Sequence, residues 1–114
     1  LQLRMAKEEA LGMIEAGYQP PAKEPIFVLG EKSLSVMKIM LYVMNEAGFA
    51  TDYDKVVSGR VAHILAGGDL SEPQKVPEDY LLRLEREAII ECFKDKGTHA
   101  RIEHMLKTGK PLRN

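Results

Sequence analysis

Residues 34–44 constrain this chain more than any other stretch. Leu34, Met37, Leu41 and Met44 recur at helical spacing and define one apolar stripe. Val36, Ile39, Met40 and Val43 fill most of the remaining circumference. A helix that is apolar on nearly every face needs cover on several sides. A lone domain of 114 residues buries roughly two-thirds of its unfolded surface, so such cover is scarce. The stretch therefore predicts a central helix, or a helix whose partner surface lies outside this sequence. Lys38 interrupts it, and it is far shorter than the ~20 apolar residues that cross a bilayer.

The rest of the chain is also punctuated as helices, and the expected class is all-α with about five of them. Helix one is predicted over 3–16, with Ala6, Ala10, Met13 and Ile14 as its buried stripe and Gly17 as its stop. Pro20, Pro21 and Pro25 forbid helix and predict an extended connector to about Gly30. Ser33 is the expected cap of helix two, over 33–47. Thr51 and Asp54 form a capping-box pattern for helix three, over 52–66, with Val57, Val61, Ile64 and Leu65 inward and Gly67-Gly68 as terminator. Residues 69–76 are expected as a loop. Helix four, over 77–94, starts with Pro77 and the acids Glu78 and Asp79. Gly97 breaks it, and Thr98 is expected to cap helix five, over 99–108. No strand alternation or tight hairpin signal is present.

Sixteen basic and seventeen acidic residues leave a net charge of −1, which gives no broad field for nucleic acid or an anionic membrane. The single cysteine, Cys92, forbids an internal disulfide and fits a reducing cytoplasm. Leucine at position 1 predicts a piece of a longer polypeptide, with the parts that carry chemistry upstream.

Candidate sites are few. Glu87 and Glu91 share a helix face at i, i+4 with Arg83 one turn earlier, and a solvated face is favoured over acid–base chemistry, which needs a cleft. His63, His99 and His104 lack metal-ligand spacing, so no metal site is expected. Cys92, among Ile89, Ile90 and Phe93, reads as an inert thiol. The stripe Met37, Met40 and Met44 reads as core, and as a partner groove only if the helix is exposed. Arg101, Lys107, Lys110 and Arg113 suit a helix C-terminus, and they also suit a phosphorylated nucleotide.

Several segments carry a resemblance in order along nearly the whole chain: helix one, Glu15-Ala16-Gly17-Tyr18-Gln19-Pro20-Pro21, residues 66–73, Tyr80-Leu81-Leu82 with residues 84–88, and residues 104–114. They resemble the C-terminal end of the two-activity enzymes of fatty-acid oxidation. Those enzymes join an NAD-dependent 3-hydroxyacyl-CoA dehydrogenase to an enoyl-CoA hydratase of the crotonase type. Residues 84–111 are similar to the last two crotonase helices, and residues 51–70 look like an insertion of the two-activity subgroup. The resemblance implies a parent that hydrates an enoyl-CoA and oxidises the product with NAD. It implies no catalytic residue here, because neither a Rossmann glycine motif nor an oxyanion-hole core is present. NAD would bind the parent, not this segment. The implied roles of this tail are packing over the acyl-CoA site and subunit contacts, within a possible homo-oligomer. Met105 falls where the family places an apolar contact to CoA. Thr108 stands where a lysine is expected, and Lys107 and Lys110 flank it as the substitutes. A stand-alone helical interaction module is the rival expectation.

Overall fold

The computed structural model describes all 114 residues and contains five helices with one small ladder. The helices are α1 (Gln2–Glu15), α2 (Glu31–Glu46), α3 (Asp52–Ala66), α4 (Glu78–Lys94) and α5 (Lys96–Thr108). The all-α expectation holds. What the sequence did not announce is a two-stranded antiparallel pair, β1 (Ile26–Val28) with β2 (Gln74–Val76), in the register Ile26 to Val76 and Val28 to Gln74. Each strand is three residues long, too short for alternation to register. The pairing buries Val28 and Val76 and clasps the connector before α2 to the loop before α4.

α2 and α3 form an antiparallel hairpin around a short turn. Asn45 staples that turn, donating from Nδ2 to Ala50 O and Asp52 Oδ1, both at 3.0 Å. The capping box is present in full: Thr51 Oγ1 accepts from Asp54 N at 3.0 Å, and Asp54 Oδ2 accepts from Thr51 N at 2.9 Å. At the far end, Gly67 N and Gly68 N return to the carbonyls of Ile64 and His63, and Tyr80 Oη donates to Gly67 O at 2.8 Å. Gly67 has φ of 90°, and a Cβ there would lie 2.5 Å from Val28 Cγ2, so a side chain is excluded on both grounds.

Two expected caps take other roles. α2 begins at Glu31 with Gly30 as its N-terminal flank, two residues before Ser33. Ser33 donates from Oγ to Gly30 O at 2.7 Å and so sits inside the first turn. Gly30, with φ of 77°, sends its N–H to Ala66 O, and Glu31 N reaches Leu70 O; these backbone bonds lock the start of α2 to the end of α3. α5 begins at Lys96, with Asp95 before it. Gly97 is therefore inside α5, packed so closely that a Cβ would meet the Tyr53 ring at 2.7 Å. Thr98 meets the Tyr53 hydroxyl instead of capping.

The core is small. Only Val28, Ala62, Ala66 and Val76 are buried apolar residues. The inward face of α3 is therefore its alanine row, while Val61 and Leu65 are exposed, contrary to the sequence reading. Residues 1–27 are exposed throughout, so the α1 stripe of Ala6, Ala10, Met13 and Ile14 is uncovered. The radius of gyration is 19.3 Å, against about 13 Å for a compact chain of this length. No helix is long and apolar enough to cross a membrane.

Candidate functional site

Two polar bridges hold α3 against the α4–α5 junction. In the first, Arg60 Nη1 donates to Asp95 Oδ2 at 2.7 Å and to Cys92 Sγ at 3.2 Å. Tyr53 Oη adds a bond to Asp95 Oδ2 at 3.3 Å. In the second, Arg101 Nη2 donates to Asp54 Oδ1 at 2.7 Å while its guanidinium lies 4.8 Å from the centre of the Tyr53 ring. Arg101 Nε also reaches Asn114 Oδ1 at 2.7 Å, and Asn114 Nδ2 donates to Gly97 O at 3.1 Å, so the last residue is tied to α5.

These contacts set the charges. The Arg60 hydrogen bond is the main cause that holds the Asp95 carboxyl below the usual carboxylate range, with Tyr53 assisting. The Thr51 N–H is the main cause that lowers Asp54, followed by Arg101. Arg60 itself is held more firmly protonated, first by Asp95 and then by Cys92. The same guanidinium gives Cys92 a hydrogen-bond donor that no sequence neighbour announced, since the two residues lie on different helices.

A cleft of about 660 Å³ opens between α2, α3 and α4. Leu34, Val56, Leu84 and Ile90 line it with the charged groups Lys38, Arg60, Glu87 and Glu91 and with His63. Glu87 and Glu91 are exposed, as the solvated-face reading has it, and they also edge this cleft; Glu91 pairs with Lys94 at 2.6 Å. Arg83 does not pair with them. It lies over the Tyr80 ring, 5.3 Å from its centre. His63 Nδ1 stands 4.0 Å from Asp69 Oδ1, His99 Nε2 bonds Phe93 O at 2.6 Å, and no group of three or more His, Cys, Asp or Glu is placed to hold a metal.

A second groove runs along α2 and α3. One part of about 260 Å³ is lined by Met37, Met40, Leu41 and Met44 with Val61 and Leu65; an adjoining part shares Met37 and Leu65 and reaches Leu29. Met40 and Met44 are exposed, so this methionine stripe is not the core element that the spacing favoured.

The residues expected to touch CoA lie on and just after α5. Met105 is 46% exposed. Lys107 Nζ pairs with Glu103 Oε1 at 2.5 Å, a contact that holds the Glu103 carboxyl below its usual range. Thr108 Oγ1 donates to His104 O at 2.8 Å and accepts from Lys110 N at 3.1 Å, closing the helix end. Lys110 is exposed beyond Gly109. The two clefts are lined by other residues, and Met105 and Lys107, two positions apart on α5, face different sides of the helix.

No family model matches the chain, and no solved structure matches it. A probable 3-hydroxyacyl-CoA dehydrogenase of Bacillus subtilis (strain 168) is 35% identical over 109 residues, or 96% of this chain. The chain spans 14% of that protein's length. The sequence is thus similar, almost from end to end, to one segment of a much larger dehydrogenase.

Proposed function

We propose that this chain is the C-terminal helical portion of an NAD-dependent 3-hydroxyacyl-CoA dehydrogenase joined to an enoyl-CoA hydratase of fatty-acid β-oxidation. The observation that carries the reading is the 35% identity running through 96% of the chain to a probable dehydrogenase of that name. The hydratase half rests on the resemblance of residues 84–111 to the last two crotonase helices. In this reading the chain covers the acyl-CoA site and supplies subunit contacts, and it performs no chemistry alone. Its shape accords with a part that takes its cover from elsewhere, since only four apolar side chains are buried. NAD and the catalytic groups belong to the rest of the polypeptide.

At the CoA edge, Met105 offers an apolar surface to the adenine, and Lys110 offers a cation to the phosphates. Lys107 contributes less directly, since its ammonium is shared with Glu103 at 2.5 Å. A cytoplasmic location accords with the lone half-buried thiol.

The test compares the full-length protein, translated in frame through Leu1, with the 114-residue chain. The full-length protein should reduce NAD with 3-hydroxybutyryl-CoA and hydrate crotonyl-CoA, and the chain should do neither. Oxidation without hydration removes the hydratase half. No oxidation by the full-length protein, or turnover by the chain alone, overturns the reading.

A stand-alone interaction module remains the second reading, favoured by the exposed groove at Met40 and Met44. Translation of residues 1–114 as an independent product would support it.

A further inference from the structure

α2 carries two apolar stripes on roughly opposite sides of its axis. Leu34, Met37 and Leu41, at i, i+3 and i+7, are half-buried, and they border the same clefts as the α3 residues Val56, Val61 and Ala62. Val36, Ile39, Met40 and Val43, at i, i+3, i+4 and i+7, are 58, 63, 60 and 57% exposed; Val36 and Met40 lie at the rim of the groove toward Leu65, and Ile39 and Val43 line none of the grooves described above. Lys32 and Glu46 flank this second stripe at its two ends, and its four positions hold no charge. A surface helix needs one apolar stripe; two opposed stripes belong to a helix held between layers.

The area left uncovered decides what the second layer is. The chain exposes 9011 Å², whereas a compact monomer of its mass exposes about 6,300 Å². The excess is roughly 2,700 Å² over the whole chain, the exposed residues 1–27 included, while a standard interface takes about 800 Å² from each partner. A second copy docked in the ordinary way would leave most of the excess open. A large obligate body would cover it, and the similar dehydrogenase has such a body, because this chain spans only 14% of it.

We propose that α2 is an inner helix of the full-length protein, with Val36, Ile39, Met40 and Val43 seated against a helical layer from the remainder of the same polypeptide. The proposal rests on the reading of the chain as a portion of a larger dehydrogenase. An i, i+3, i+4, i+7 row accepts a helix, and the lack of charge along it requires an apolar stripe in return.

The experiment places a thiol on the stripe by Ile39→Cys, with Cys92→Ser, in the 114-residue chain and in the full-length protein, and follows labelling at position 39 by peptide mass spectrometry so that other thiols do not count. Labelling with a maleimide is timed under native conditions. In the dilute chain the introduced thiol should react at the rate of an exposed cysteine; in the full-length protein it should react about tenfold slower or less readily still. Equal rates overturn the proposal. Protection that develops in the chain alone as its concentration rises assigns the stripe to a second copy and also overturns it. The oxidation of 3-hydroxybutyryl-CoA is measured on the same full-length sample. A protected thiol without that activity keeps the seat and sinks the dehydrogenase reading; a reactive thiol in an active enzyme sinks the seat alone.

Discussion

Arg60 on α3 places Nη1 2.7 Å from Asp95 Oδ2, at the point where α4 gives way to α5. Both side chains are about two-thirds covered, so the pair is less screened than the surface pairs Arg4–Glu8 or Lys107–Glu103. With so few buried apolar side chains, the junction of three helices depends on this bridge and on the parallel one between Arg101 and Asp54. Arg60→Met should lower Tm by several degrees in a thermal melt followed by circular dichroism. Arg4→Met, at a well-exposed pair, should leave it unchanged.

Acid should loosen the same junction. Asp54 and Asp95 both release their protons more readily in the folded chain than an ordinary aspartate does. The unfolded chain therefore binds more protons in that range, and stability rises with pH. The contribution is complete above about pH 4 and is lost as pH falls through the lower folded values. Melts between about pH 2 and 6 should slope upward. The double variant Asp54→Asn, Asp95→Asn should flatten the slope, and an unchanged slope would show that other carboxylates govern it.

Thr51→Ala removes the acceptor for Asp54 N and leaves an orphan donor in the first turn of α3. The expected cost is about 1 kcal/mol in urea unfolding. Thr51→Ser, which keeps the hydroxyl, should recover most of it.

Gly97 and Ala66 test the close approaches. A Cβ at Gly97 meets the Tyr53 ring at 2.7 Å, and Ala66 is fully buried beside the start of α2. Gly97→Ala and Ala66→Leu should each destabilise by about 1–3 kcal/mol, since neither neighbour can withdraw without loosening a helix contact. Gly59→Ala is the control. A Cβ there meets nothing within 4 Å, and the substitution should be neutral or stabilising in the same unfolding assay.

For the CoA edge, Lys110→Ala in the full-length protein should raise KM for the acyl-CoA roughly three- to tenfold with kcat unchanged. Lys107→Ala should do less, because Glu103 already holds that ammonium. Equal KM values for all three proteins would remove these lysines from the site.

Local chemistry was readable from the chain, and distant pairing was not. Thr51 with Asp54 and the Gly67-Gly68 terminator are patterns of a few residues, and both stand in the fold as the spacing predicts. Ser33 misled because its hydroxyl can bond a carbonyl within the first turn as well as cap it. Thr98 misled for a different reason: Tyr53, 45 positions away, occupies its hydroxyl. The β1–β2 pair, the cleft that gathers Lys38, Arg60 and His63 beside Glu87 and Glu91, and the bond from Arg60 to Cys92 all join separate elements. The apolar excess of α2 was legible as a demand for cover, but the chain itself contains no element that meets it.

The short ladder has a consequence for the order of assembly. α2 and α3 meet through a turn of a few residues and can zip together as soon as both have emerged. The partners Val28 and Gln74 must close a loop that contains that entire hairpin, which carries a larger entropic penalty. The three-residue strands bring little energy of their own to that closure. A hairpin that has already brought Gly30 to Ala66 shortens the loop the ladder must close, so the ladder acts as a latch whose closure the α2–α3 pairing favours.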